Sequence, residues 1–274
     1  MQKKNSLFQQ LLSESRLLTV LYDNLPVDIK ISRLYGKVIA YLEKYSSFNN
    51  ITVDNAVAFY DNYIATYNKH CKQFVKSAKY PFEDGGHNYL ISRQEYDVVL
   101  LLSVLFTLHR FRIMQLIDQQ TPAEKALFIG LGPGLEMLLS KEKYNEMYAY
   151  DLSINEFLFS EFPGIFMNTQ LYTGQQKNYF DAIYIVELLE HLKDPFALLE
   201  LSSYSLKKGG HVFLTTATNI PQFDHLYNFP KDHTDFEVQL RQLGFEVVYK
   251  EMIPHNYLTM DFNPCNHFYT IKKS

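Results

Sequence analysis

The chain has 274 residues, 47% of them hydrophobic and 20% charged, so a sizeable core is affordable and a disordered chain is excluded. With 30 Asp and Glu against 26 Lys and Arg, the formal charge is −4, which gives no sign of a basic nucleic-acid groove. Only Cys71 and Cys265 carry thiols, which excludes a disulfide scaffold and a four-thiolate zinc site and fits a reducing compartment.

The first residues are polar, and Glu14 and Arg16 interrupt the next stretch before a long apolar run develops, so no secretory leader is expected. Leu7, Leu11 and Leu12 recur at helical spacing, as do Leu34, Val38, Tyr41, Leu42 and Tyr45. Residues 50–55 offer cap residues before a helix from Ala56, in which Tyr60, Tyr63 and Tyr67 share a face. Pro81 and the Gly85–Gly86 pair break the pattern. Ser92 to Glu95 reads as a capping box opening an apolar helix through Val104. The greasiest run, 98–106, continues only to His109 and Arg110. A bilayer span needs ~20 apolar residues, so this run is read as a buried helix and the protein as cytoplasmic.

Residues 119–125 form a polar connector, and the texture then changes. Short strands are expected at 126–130, 147–151, 165–170, 180–186 and, behind a glycine turn, 209–216. Helices are expected from 135, over 195–206 and over 235–243, and strands at 245–249 and 267–272 close the chain. Such alternation implies an α/β fold with a mostly parallel sheet. The expected division is a helical cap or substrate lid over 1–120 and a ligand-binding domain over 121–274.

Two signals mark a site. Gly130, Gly132 and Gly134 form a turn directly after the first strand of the alternating half, where backbone N–H groups can approach a ligand closely. An ordinary tight turn would look the same in isolation. Asp151 ends the next strand, roughly 20 residues on, the spacing of a ribose-binding carboxylate. It would equally cap a helix starting near Ser153. Together the two point to an adenosine-containing ligand. The Gly-x-Gly-x-Gly spacing departs from the nicotinamide fingerprint, and no phosphate-loop motif is present.

At these residues the chain resembles the class I S-adenosylmethionine-dependent methyltransferases, over roughly 126–272. The pieces that carry the resemblance are Leu127-Phe-Ile-Gly-Leu-Gly-Pro-Gly, Tyr150-Asp-Leu-Ser, Phe180-Asp-Ala-Ile-Tyr-Ile-Val-Glu-Leu-Leu-Glu-His-Leu-Lys-Asp-Pro and Leu206-Lys-Lys-Gly-Gly-His-Val-Phe-Leu-Thr-Thr. The third looks most like the ubiquinone-biosynthesis O-methyltransferases. The resemblance implies a Rossmann-like seven-stranded sheet, mostly parallel with its last strand antiparallel, an N-terminal all-helical cap, and S-adenosyl-L-methionine as cofactor. It places Gly130, Gly132 and Gly134 along the methionine and ribose, and Asp151 on the ribose hydroxyls. Leu152 would flank the adenine, and Val186 and Glu187 would stand beside the sulfonium. Relatives often place an acid after the third strand for the adenine amine, and here Gln175 is the substitute. Some ubiquinone-pathway relatives look as though they hold a divalent ion with the pattern of Glu187, Glu190 and His191. The same loop occurs in relatives without metal, and none is expected here.

The implied activity is methyl transfer to an oxygen or nitrogen of a small molecule. His191 and His225, then His233 and His87, are the candidate bases. Tyr80, Tyr89, Arg93 and Tyr227 are the expected substrate contacts, although tyrosine rows also arise from plain helix packing. A second resemblance runs to the lead-in of nicotianamine synthase, through Asn88-Tyr-Leu-Ile-Ser-Arg-Gln-Glu-Tyr96. It implies an alternative in which the aminobutyrate arm of the cofactor is transferred or cyclised. A non-catalytic partner subunit is the third reading. A small-molecule substrate is expected, free or carrier-tethered, with no nucleic acid, no membrane, and a monomer or homodimer.

Overall fold

The computed structural model describes residues 6–81, 91–222, 224–255 and 263–274. The helical segment comprises α1 (Leu7–Glu14), α2 (Arg16–Asp23), α3 (Val27–Lys30), α4 (Arg33–Phe48), α5 (Val53–Ser77), α6 (Arg93–Phe106) and α7 (Leu108–Asp118). The sheet segment continues as β1 (Ala123–Ile129), α8 (Leu135–Ser140), β2 (Tyr144–Tyr150), α9 (Glu156–Glu161), β3 (Phe166–Asn168) and β4 (Phe180–Ile185). A 3-10 turn (Leu189–His191), α10 (Pro195–Ser205), β5 (Leu206–Thr218), α11 (His233–Gln242), β6 (Phe245–Pro254) and β7 (Cys265–Lys273) complete it. None of the described helices is long and apolar enough to cross a membrane.

Local chemistry explains the helix starts. Thr52 and Asn55 form a reciprocal capping box on α5, and the Ser92 hydroxyl accepts the Glu95 N–H at the head of α6. The apolar run 98–106 is a buried helix, as expected, and lies wholly within α6; a second helix, α7, follows it directly. Thr107 adopts extended backbone (φ −130, ψ 136) and separates α6 from α7. No amphipathic period announces α7, because both of its flanks are covered: His109, Phe111, Ile113, Met114, Leu116 and Ile117 are all buried.

The sheet order is β3-β2-β1-β4-β5-β7-β6. β7 runs antiparallel to both neighbours and the other pairings are parallel. The seven-stranded sheet with an antiparallel last strand is therefore present. Alternate strand residues feed two cores. Ala126, Phe128, Ala182, Tyr184 and Phe213 pack with α4, α6 and α7, whereas Leu127, Ile183, Ile185, Val212 and Leu214 pack with α10 and α11. The glycines expected as a turn before the fifth strand lie within it. Gly210 sits where the β4–β5 register shifts, and a Cβ there would stand 2.9 Å from the Asp181 carbonyl oxygen.

Candidate active site

A parallel sheet opens ligand sites at the carboxyl ends of its strands, where the order reverses. Here β1 lies between β2 and β4, and a cavity of about 600 Å³ opens beyond their ends. Gly130 and Gly132, both at positive φ, line it. A Cβ on Gly132 would meet Leu100 Cδ1 at 3.2 Å, so a side chain would fill the cradle. Gly134 is not in the lining. Its φ is +79 and a Cβ would press on Leu158 Cδ2 at 2.7 Å, so this glycine serves packing under the turn.

Asp151 faces the cavity from the end of β2. Its Oδ2 accepts the Leu131 N–H at 2.7 Å, and its Oδ1 accepts the Ser153 N–H at 2.9 Å and Arg93 Nη1 at 3.2 Å. Three of about four carboxylate lone-pair positions are thus taken, which leaves one on Oδ2. The next helix is capped by Asn155, not by Asp151. Leu152 and Leu171 are each 65% exposed and both line the mouth, an apolar slot of the kind a flat ring needs. Gln175 is exposed and outside the lining, because the chain after β3 presents Gln170, Leu171, Tyr172 and Thr173 instead.

Val186 and Glu187 come directly after β4 and both line the cavity. Glu187 holds a left-handed backbone (φ 51), a strained state for a side chain of this kind. Its N–H donates to Thr215 Oγ1 at 2.8 Å, whose hydroxyl donates to Glu187 Oε1 at 2.6 Å. Asn266 Nδ2 donates to Oε2 at 2.7 Å, and Arg110 Nη2 lies 3.5 Å from the same oxygen. The surroundings therefore determine where this carboxylate points.

His191 lines the cavity, with Nδ1 2.9 Å from the Asp224 carbonyl oxygen and 3.6 Å from Asp224 Oδ2. If Nδ1 carries the proton, Nε2 is left as an acceptor. Burial raises Asp224, but the His191 and His225 rings and the Tyr96 hydroxyl outweigh it and hold the carboxyl below its ordinary value. His225 is fully buried behind His191 and outside the lining, and burial pushes it down to about 3. Glu190, His191 and His225 each bring a donor atom within 4.8 Å of the others, a set of the kind that holds a divalent ion. His225, and not Glu187 of the relatives' pattern, completes this set. Burial, then the charge of Glu187, keeps Glu190 well above the ordinary carboxylate range.

The expected substrate contacts separate. Arg93 lines the cavity, but its guanidinium is bound to Asp151, Asp97 and the Gly132 and Ser153 carbonyls, beside the glycine turn. Tyr80 and Tyr227 line a second depression with Phe74 and Asn228, and their hydroxyls donate to Asn228 and to the Leu192 carbonyl. Tyr89 and His87 lie outside the described residues, as does the Gly85–Gly86 break. His233 stands away from the cavity, its Nδ1 2.5 Å from the Tyr269 hydroxyl. Sequence reasoning missed Tyr96, Arg110, Glu136 and Asp224, all in the lining. One of them was marked: Glu136 is a lone acid in the first turn of a short apolar helix, whereas Arg110 shares its helix with Arg112 and Asp118.

Residues 109–250 match a methyltransferase-domain family. A stretch of 48 residues is 40% identical to ubiquinone biosynthesis O-methyltransferases of Xanthomonas campestris pv. campestris, covering 18% of this chain and 20% of theirs. The match thus spans about a fifth of the length of these curated relatives. Among solved structures, phosphoethanolamine N-methyltransferase 2 of Haemonchus contortus superposes with a TM-score of 0.51 at 13% identity, over 70% of this chain and 60% of that one. The YcgJ protein of Bacillus subtilis superposes with a TM-score of 0.50 at 13% identity, over 60% of this chain and 99% of the other. At such identities these likenesses show the fold.

Proposed function

The chain belongs to the methyltransferase-domain family, and from that premise we propose that it transfers the methyl group of S-adenosylmethionine to an oxygen or nitrogen of a small molecule. One observation carries the reading: a single cavity holds Gly130, Gly132, Asp151 and Glu187 at the strand ends and continues past them toward α6 and α7. The cofactor supplies a methyl carbon activated by a positive sulfur. Gly130 and Gly132 leave room for its backbone-hugging arm, Asp151 accepts from the ribose, and Leu152 and Leu171 enclose the adenine. Second-order displacement leans on alignment, which the fixed Glu187 and the α6–α7 wall provide. His191, oriented by Asp224, is placed to take a proton from an acceptor.

The helical segment over 1–120 acts in this reading as the wall and cover of the acceptor chamber, and 121–274 as the cofactor domain. The test is titration with S-adenosylhomocysteine, then incubation with S-adenosylmethionine and mass spectrometry of the products. Micromolar binding and no breakdown without an acceptor are expected. Methylthioadenosine appearing without an acceptor would instead favour cleavage of the aminobutyrate arm.

A further inference from the structure

Beyond the glycine turn the cavity enters a chamber walled by Leu100 and Val104 of α6 and Met114 of α7. Its charged groups are unbalanced: Glu136, Glu187 and Asp224 share this lining with the guanidinium of Arg110. Arg110 is already committed to Glu187, at 3.5 Å. Asp224 accepts the Tyr96 hydroxyl at 3.0 Å and Gln222 Nε2 at 3.4 Å. Glu136 has neither kind of partner. Among the described residues its carboxyl makes no hydrogen bond to another side chain and no ion pair; it accepts only its own backbone N–H and feels the Arg110 charge from beyond contact.

A carboxylate in an apolar chamber without a cation in contact is costly, and a cation supplied by the ligand removes that cost. We propose that the acceptor is a small amine on an apolar chain, and that Glu136 receives its ammonium group. The proposal rests on the methyl-transfer reading and names its substrate class. A neutral alcohol would leave the carboxylate uncompensated. An anionic acceptor would meet Glu136, Glu187 and Asp224 and would have to break the Arg110–Glu187 pair. The same carboxylate prepares the nucleophile. The ammonium N–H bond breaks, its electron pair stays on nitrogen as the lone pair, and the proton forms an O–H bond on Glu136. Burial pushes the Glu136 carboxyl up to about 7, which suits it to accept a proton near neutrality.

The test is calorimetric titration of the full chain with S-adenosylhomocysteine and S-adenosylmethionine, then, at saturating S-adenosylhomocysteine, with hexylamine, hexanol and hexanoate. It is repeated in Glu136→Gln and Glu136→Asp. The expected result is hexylamine binding at least tenfold tighter than hexanol, with hexanoate weakest. In Glu136→Gln the amine preference falls at least tenfold while the S-adenosylhomocysteine affinity stays within twofold, and Glu136→Asp restores part of it. Hexanol or hexanoate binding as tightly as hexylamine would overturn the proposal, as would an unchanged amine affinity in Glu136→Gln. Loss of S-adenosylmethionine affinity with the amine spared would overturn it too, by turning Glu136 toward the sulfonium. Failure to bind S-adenosylhomocysteine at all would instead remove the methyl-transfer reading. The hexylamine titrations of the ligand-free protein and of Glu136→Gln would then still decide the role of Glu136.

Discussion

Asp151 and Glu136 carry the same carboxylate group in two different surroundings. Asp151 is fixed by two backbone N–H groups and a guanidinium and keeps one lone-pair position unused. Asp151→Asn should weaken S-adenosylhomocysteine binding by roughly 10- to 100-fold, the worth of a hydrogen bond to a charged group, as read by calorimetry. Glu136 has a carboxyl raised from an ordinary 4.5 to about 7, chiefly by burial, with Arg110 opposing and Glu187 adding to the shift. The folded chain holds that proton more tightly than the unfolded one. Its contribution to stability is therefore full below about pH 4.5 and lost as pH rises through about 7. Glu136→Gln should gain stability over the parent between pH 5 and pH 8, by on the order of 1–3 kcal/mol in urea unfolding. Both residues stand in the sequence, but only Asp151 could be proposed from it as a site residue, because a carboxylate at a strand end after a glycine turn has a recognisable spacing. Glu136 becomes notable only when α7 and β4 bring Arg110 and Glu187 beside it, and no local pattern encodes that meeting.

At the scale of elements, patterning worked where one face of an element is wet. The α4 row of Leu34, Val38, Tyr41, Leu42 and Tyr45 is buried as its spacing requires. It failed for α7, where burial on several sides erases the period, and for β6, which extends to Pro254 as an edge strand with mixed exposure. The glycine turn was legible as a turn, but not the division of labour within it. Gly130 and Gly132 face the cavity, whereas Gly134 answers to Leu158 and Tyr41. Gly134→Ala and Gly164→Ala separate strain from crowding. Both positions have positive φ, but only Gly134 has neighbours within 4 Å. Gly134→Ala should cost about 2–4 kcal/mol in urea unfolding and Gly164→Ala about 1 kcal/mol. Equal costs would show that the neighbours of Gly134 yield freely.

Across the whole molecule, the boundary expected near residue 120 separates an all-helical segment from an alternating one without dividing the core. Leu34, Tyr60, Phe106 and Phe111 belong to the same buried cluster as Phe128, Ala182 and Phe268. Hydrogen bonds cross it as well: Tyr41 donates to the Pro133 carbonyl at 2.7 Å, Tyr63 to Gln222 at 2.6 Å and Tyr96 to Asp224 at 3.0 Å. Chain composition showed the change of texture and not this seam, because the seam is made of side chains far apart in sequence. Far-UV circular dichroism and tyrosine fluorescence should report one coincident urea transition. Two separated transitions would show that the helical segment folds as an independent cap.

The seam also sets an alkaline limit. A phenol donates only while it keeps its proton, and burial raises the Tyr41 and Tyr96 hydroxyls well above 10. Their contribution to stability is full below pH 10, the unfolded value, and is withdrawn as base strips the proton. The chain has 21 tyrosines and no tryptophan, so tyrosinate absorbance reads this event against no indole background. Solvent-facing rings should ionise reversibly first. The seam rings should ionise last, abruptly and together with the loss of structure, so that strong base parts the two halves where urea does not.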